Sequence, residues 1–436
     1  MEIKKITEEN WTDDNIIKLR DYKEPSVVTE PDEGKLRETI EPWLTALFQS
    51  EHLSLLTGSG ISSAIHHLAT SNPGVGMDKI EFSVFNEQIE KKAKESSEKS
   101  GRGEPNIEDQ IRTVTELIRG MEIYLTTIED GTLSGNIEIL KQELLEGIKN
   151  FANNILASEK NIVTSDKTEP AEYLMNFLLS FASRSATRER LNLFTTNYDR
   201  ILEFGSELAG LHLIDRFVGI ISPIFRASRL NIDLHYNPPG IRGEPRYLEG
   251  VVNFTKLHGS IDWSEQDGVV RRFALPYGAE NIDVYKPSGN ELIIYPNSSK
   301  DRETAEYPYV ELFRDFASTI IRPNSTVVVY GYGFGDDHIN RVLLDMLTIP
   351  STHLVIISRS NTGERIEKFY KKAKRPVQIT LLIGKHFGDI KTLVDNYLPK
   401  PAIDRTTYKM ADLLKARGIA KSEKESGNSN QEENDD

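Results

Sequence analysis

The chain has 436 residues, 38% hydrophobic and 28% charged, with no cysteine and a formal net charge of −14. That composition suits a soluble globular protein of one large or two ordinary domains and excludes disulfides and thiolate metal sites. The acidity argues against a surface-wide nucleic-acid footprint. With no apolar run near the roughly 18 residues of a membrane helix, and no apolar core at the N-terminus to act as a signal peptide, a cytoplasmic setting away from membranes is expected.

Residues 1–34 are polar, with turn residues at Glu30–Gly34, and read as an N-terminal arm that packs on a neighbour or frays. Lys35–Ser50 carries Ile40, Trp43, Leu44 and Leu47 at helical spacing and leads into a strand over His52–Thr57. That strand runs into Gly58-Ser59-Gly60-Ile61-Ser62 and a short helix to Ala69, followed by a small-residue loop, Ser71–Gly76. A glycine turn between strand and helix is either a plain turn or an anion cradle, where backbone N–H groups and the helix N-terminus meet a pyrophosphate.

Helical patterns then follow over Lys79–Lys99, Ile107–Tyr124 (with Asn106 as N-cap), Ser134–Lys160 and Ala171–Arg188. With no strand pattern among them, residues of about 78–190 read as one inserted helical subdomain. Strand character returns at Leu191–Thr196, and Asn197–Leu208 reads as a helix. Gly250–His258 is β-rich, Val269–Leu275 and Glu291–Tyr295 are strand candidates, and Ala305–Ile321 is an amphipathic helix. The last third alternates: strand Ser325–Tyr330, helix Asp337–Thr348, strand His353–Ser358, helix Gly363–Lys374, strand Val377–Ile383, helix Asp389–Tyr397. Such alternation predicts an α/β fold, a Rossmann-like parallel sheet covered by helices on both faces, over residues 35–400. Residues 401–436 read as a C-terminal helix, Tyr408–Ala420, and an acidic tail without large apolar residues, for which disorder is expected.

Three more clusters stand at strand ends, where ligands of open α/β sheets gather. Thr195-Thr196-Asn197-Tyr198-Asp199 is a capped turn or a polar pocket wall. His258-Gly259 offers an imidazole, a base that works near neutral pH, though a histidine before glycine also serves structural turns. Gly331-Tyr332-Gly333-Phe334-Gly335 is a second glycine turn, with Asp336 and Asp337 as caps of the helix it opens. No P-loop pattern occurs, and the neighbours His66 and His67 do not share a helix face, so no metal site is expected.

Together, Gly58–Ser62, Thr195–Asp199, His258-Gly259 and Gly331–Gly335 resemble, in order, four motifs of the sirtuin family, and specifically its zinc-free bacterial defence branch. The resemblance covers about residues 40–395 and departs from the protein-deacetylating members. The four zinc cysteines and the Pro-Asp-Phe-Arg segment after the first glycine turn are missing, and the insertion is longer and helical. It implies NAD+ as substrate, with no zinc. Gly58, Ser59, Gly60 and Ser62 would cradle the pyrophosphate, with Thr195 and Thr196 beside them. Asn197 would orient the ribose and the attacking water, and Asp199 would hold that loop or the nicotinamide side. His258 would act as general base, and Gly331, Gly333, Phe334 and Gly335 would bring backbone to the adenosine half.

The implied activity is NAD+ glycohydrolysis to ADP-ribose and nicotinamide, as an effector of anti-phage defence by abortive infection. About 36 residues follow Lys400, too few for an appended sensor domain. The chain therefore looks most like the subunit that assembles with a HerA-type ATPase or helicase, as a homo-oligomer that meets nucleic acid only indirectly if at all. An NAD-dependent protein deacylase and a non-catalytic NAD-binding scaffold are the alternatives.

Overall fold

The computed structural model describes residues 2–6, 11, 15–19, 24–72, 74, 79–99, 103–185, 187–227, 234–236, 246–287, 291–294 and 307–400. The expected helix over Tyr408–Ala420, the acidic tail and most of the loop after Asn72 lie outside them. Among the described residues no helix is long and apolar enough to cross a membrane.

The N-terminal residues do more than form an arm. They supply β1 (Glu2–Lys5), β2 (Ile16–Lys18) and β3 (Ser26–Thr29), which add antiparallel to one edge of the main sheet. Next comes α1 (Glu33–Phe48), which buries Leu36, Ile40, Leu44 and Phe48 along one face. β4 (His52–Thr57) and α2 (Ser59–Thr70) follow on either side of Gly58.

The insertion consists of α3 (Asn86–Lys99), α4 (Ile107–Leu125) and α5 (Gly131–Val163). Asn106 caps α4 as its sequence suggests, in a reciprocal box: Asn106 Oδ1 accepts from the Asp109 N–H, and Asp109 Oδ2 from the Asn106 N–H. Such a box stabilises a helix start by about 1 kcal/mol. These helices have a core of their own, made by Phe82, Ile89, Val114, Ile118, Met121, Ile137 and Leu140. The fourth helix, α6 (Glu169–Ala182), has the same periodicity but packs Leu174, Phe177 and Phe181 on the main sheet.

β5 (Leu191–Thr195) and α7 (Ile201–Leu208) come next. The expected helix over Asn197–Leu208 starts only at Ile201, so Thr196–Arg200 forms a loop. β6 (His212–Ile214) is followed by the short strands β7 (Phe217–Val218), β8 (Ile224–Phe225), β9 (His235–Tyr236) and β10 (Arg246–Tyr247). β11 (Val251–Lys256), β12 (Gly259–Gln266), β13 (Val269–Arg272) and β14 (Glu291–Ile294) lead to α8 (Tyr309–Ile320). The predicted alternation closes the chain: β15 (Ser325–Tyr330), α9 (Asp337–Met346), β16 (His353–Ser358), α10 (Arg365–Ala373) and β17 (Ile379–Ile383). The last expected helix is broken into α11 (Lys385–Gly388), α12 (Ile390–Thr392) and a π-helical turn, Leu393–Tyr397.

The ten-stranded sheet has the order β1-β3-β2-β17-β16-β15-β4-β5-β11-β6, with the seven strands from β17 to β6 parallel. Its strands alternate between two cores, as a period of two residues requires. Val328, Tyr330, Val355 and Ile357 face α1, α2, α6 and α7, whereas Val327, Val329, Leu354 and Ile356 face α8, α9 and α10. The chain leaves β4 toward β5 on one side, and β15 toward β16 on the other. The β4/β15 boundary is therefore the topological switch point, and a crevice opens outside the carboxyl ends of those two strands.

Candidate functional site

The two glycine turns stand side by side at that switch point. The Gly60 N–H donates to the Gly331 carbonyl at 2.9 Å, and the Gly58 N–H to the Tyr330 carbonyl at 3.2 Å. A Cβ on Gly60 would lie 2.5 Å from the Gly331 Cα, and Gly331 itself has φ +63°. Both positions need glycine because backbone touches backbone there. The first-turn N–H of Gly60 is already spent on this contact. What remains at the start of α2 for a ligand is the Ser59 backbone, the Ser59 and Ser63 hydroxyls, and the positive end of a 12-residue helix.

In the second turn, aromatic and glycine residues alternate for a reason. Phe334 is buried and packs on Phe369 at 4.9 Å between ring centroids, and Tyr332 packs on Phe334 at 5.0 Å. Asn340 Nδ2 holds the Phe334 carbonyl at 3.0 Å. Anchored this way, the loop presents Gly333 and Gly335 to a cavity of about 250 Å³. Ser59, Ser62, Thr196, Asn197, Asp199 and His258 line the same cavity. Four clusters far apart in the chain thus meet around one space. Gly60, Thr195, Gly331 and Phe334 do not line it; they hold the lining residues in place.

Asn197 is nearly buried. Its Nδ2 donates to the Gly58 carbonyl at 3.0 Å and to Ser62 Oγ at 2.9 Å, and its N–H donates to Thr195 Oγ1 at 3.1 Å. With both amide hydrogens engaged, Oδ1 is the atom left for a ligand. Ser62 Oγ in turn donates to Asp199 Oδ2 at 2.7 Å, while Asp199 Oδ1 accepts the Ile201 N–H at 3.2 Å and so starts α7. Asp199 therefore positions the loop. His258 sits in the turn between β11 and β12, with its ring 6.3 Å from that of Tyr198 and 5.7 Å from that of His338.

The loop is pinned from both sides. Lys256 Nζ donates to the Asp199 carbonyl and, at 2.9 Å, to Glu203 Oε1. Burial pushes the Glu203 carboxyl up to about 7, against the pull of Lys256. From the insertion, Glu159 accepts from the Arg200 N–H at 2.9 Å and from Arg200 Nη2 at 2.5 Å. Burial drives the Glu159 carboxyl up, and the guanidinium beside it opposes that shift. Tyr198 donates its hydroxyl to Glu108 Oε1 at 3.1 Å, and burial keeps this phenol well above its usual range.

Sequence reasoning missed several lining residues: Glu108, Phe151, Ile155 and Glu159 from the insertion, Tyr277 from the segment after β13, and Arg365 at the start of α10. Arg365 is the one arginine or lysine among the described lining residues, and its Nε donates to the Gly333 carbonyl at 2.7 Å. His338, to which sequence reasoning assigned no role, stands beside His258. The cue for Arg365 was its place at a helix start after the next parallel strand; for the insertion residues no local cue exists.

A family model described as a SIR2-like domain matches residues 191–377. The match holds Asn197, Asp199, His258 and the second glycine turn; the first glycine turn precedes it. SIR2-like domains use NAD+, so the match supports a sirtuin-type family and is consistent with NAD-dependent activity. No curated protein matches the chain.

Proposed function

We propose that this chain is an NAD+ glycohydrolase. The observation that carries the reading is the convergence of Asn197, Ser62, Asp199 and His258 with both glycine turns on one cavity at the switch point. The start of α2 and the Arg365 guanidinium suit the two negative charges of a pyrophosphate. Asn197 Oδ1 suits a ribose hydroxyl or a water. As nicotinamide leaves, positive charge develops on the ribose, and Asp199 lies within the network beneath Asn197. His258 would take the proton of the attacking water, so that a C–O bond forms as the C–N bond breaks. Nicotinamide departs neutral, because the ring nitrogen keeps the bonding electrons.

The peptide-deacylating alternative has less support, because the chain has no zinc-module cysteines. Extending the reading to biology, we propose that the enzyme depletes cellular NAD+ in anti-phage defence, in the cytoplasm, within a homo-oligomer joined to a HerA-type ATPase. Purified protein, alone and with such a partner, is expected to release nicotinamide and ADP-ribose from NAD+, and His258→Ala to release neither. Undiminished turnover in that variant would remove His258 from the mechanism. Tight NAD+ binding without turnover in the native protein under every condition would leave a scaffold.

A further inference from the structure

His258, Asp336 and His338 each bring a ligand-type atom within 4.8 Å of those of the other two. They come from different elements: His258 from the β11–β12 turn, Asp336 from the N-cap of α9, and His338 from the first turn of that helix. All three are half-buried. Aromatic rings surround the two imidazoles: Phe313 packs edge-on against His338 at 4.6 Å and 81°, and Tyr198 and Phe313 lie 6.3 and 6.4 Å from His258.

We propose that these three residues bind a borderline divalent transition-metal cation, of which Zn2+ is the test case, and that the bound ion switches the enzyme off. Two imidazoles and one carboxylate select Zn2+, Co2+ or Ni2+ over Mg2+ and Ca2+, which prefer all-oxygen shells. Bonds of about 2.0–2.2 Å to such ligands require the three atoms to close by roughly an ångström, within the reach of side-chain rotation. One carboxylate and two neutral imidazoles leave the ion with a net positive charge and an open position. The off-switch follows from electron bookkeeping and rests on the role proposed for His258: an imidazole nitrogen whose lone pair is bonded to the metal cannot accept the proton of the attacking water. His338 and Asp336 have no part in that proton transfer, so the site and the base can be separated by mutation.

The test uses the full chain stripped with EDTA. Titration with Co2+ is expected to give visible d–d bands that saturate at one equivalent. His338→Ala and Asp336→Asn are expected to lose affinity by more than the roughly 10–100-fold cost of removing an outer-shell partner, with native near-UV dichroism showing that both fold. Absent bands, or bands unchanged in both variants, would overturn the site. With Zn2+, nicotinamide release by the native protein is expected to fall and to return on adding EDTA, while His338→Ala keeps its turnover at every Zn2+ concentration. Turnover indifferent to, or raised by, Zn2+ would overturn the switch. If the metal-free protein cleaves no NAD+ under any condition, the proposed function has failed, and the cobalt spectra still judge the site.

Discussion

Ser62 joins two residues of the site by one hydroxyl: it accepts from Asn197 Nδ2 and donates to Asp199 Oδ2. Removing the hydroxyl leaves a buried amide and a carboxylate each one partner short. Ser62→Ala is expected to lose about 1–2 kcal/mol of stability and to lower the rate of nicotinamide release about 10–100-fold, less than the 10²–10⁴-fold expected for a general base such as His258. Urea denaturation and steady-state kinetics read the two effects, and a variant with native kinetics would show that Asn197 needs no bridge. Gly60 makes the opposite case. It does not line the cavity, yet an added Cβ would meet the Gly331 backbone, which cannot swing aside as a side chain can. Gly60→Ala is expected to cost about 1–3 kcal/mol from overpacking, seen as an earlier denaturation midpoint before any kinetic effect is considered.

At the level of elements, the loop Thr196–Arg200 is held by a helix from outside the sheet. Glu159 on α5 takes the Arg200 N–H and guanidinium, and both side chains are buried. Glu159→Ala would strand a buried guanidinium, at an expected cost of about 3–5 kcal/mol; Glu159→Gln, which keeps an acceptor, should cost less. Comparing the two by chemical denaturation tests whether charge or geometry carries the link. This contact also explains why the sequence pattern placed a helix too early. Asn197–Leu208 has helical composition, but Arg200 spends its N–H on a residue 41 positions upstream, and the Asp199 carboxylate accepts the Ile201 N–H. The alternation from Ser325 to Ile383 was legible because each strand and helix carries its own apolar period. The destination of α6 was not, since a period names a buried face without naming what it faces. The N-terminal strands were hidden because they are only three or four residues long in a polar segment: β2 exists through pairing with β17, β3 through pairing with β2, and β1 through pairing with β3.

Lys18 in β2 shows what that pairing costs. Its ammonium is buried and donates to the Ile379 carbonyl at 2.8 Å and to that of Pro376. Burial lowers its pKa from 10.5 to about 8. Between those two values the unfolded chain holds the proton and the folded one does not, so this residue's contribution to stability rises with pH across that window and is least favourable below it. Native protein is therefore expected to gain stability relative to Lys18→Met as pH rises above about 8; a difference that stays constant with pH would mean that the ammonium remains solvated.

Across the whole molecule, the cavity has walls of two origins. The sheet supplies the glycine turns, Asn197 and His258; the insertion supplies Glu108, Phe151, Ile155 and Glu159. The 33-residue α5 spans about 50 Å and takes part in both, with Ile137 and Leu140 in the insertion's own core and Phe151 and Leu156 in the cluster beside the site. The site residues were legible in the sequence as motifs at strand ends, but their meeting with this helix depends on long-range packing that no local pattern records. A ligand in such a cavity bonds to both walls at once, so binding should stabilise the molecule as a unit rather than the sheet alone. His258→Ala, which is expected to bind NAD+ without consuming it, allows the measurement. With NAD+ at 100 times its dissociation constant the gain is about 2.7 kcal/mol, and the thermal midpoint should rise by a few degrees in a single transition. Amide exchange should slow in Phe151–Ile162 together with Thr196–Arg200. Protection confined to the sheet side would mean that the insertion forms no part of the ligand site, and that its link to Arg200 serves only the resting fold.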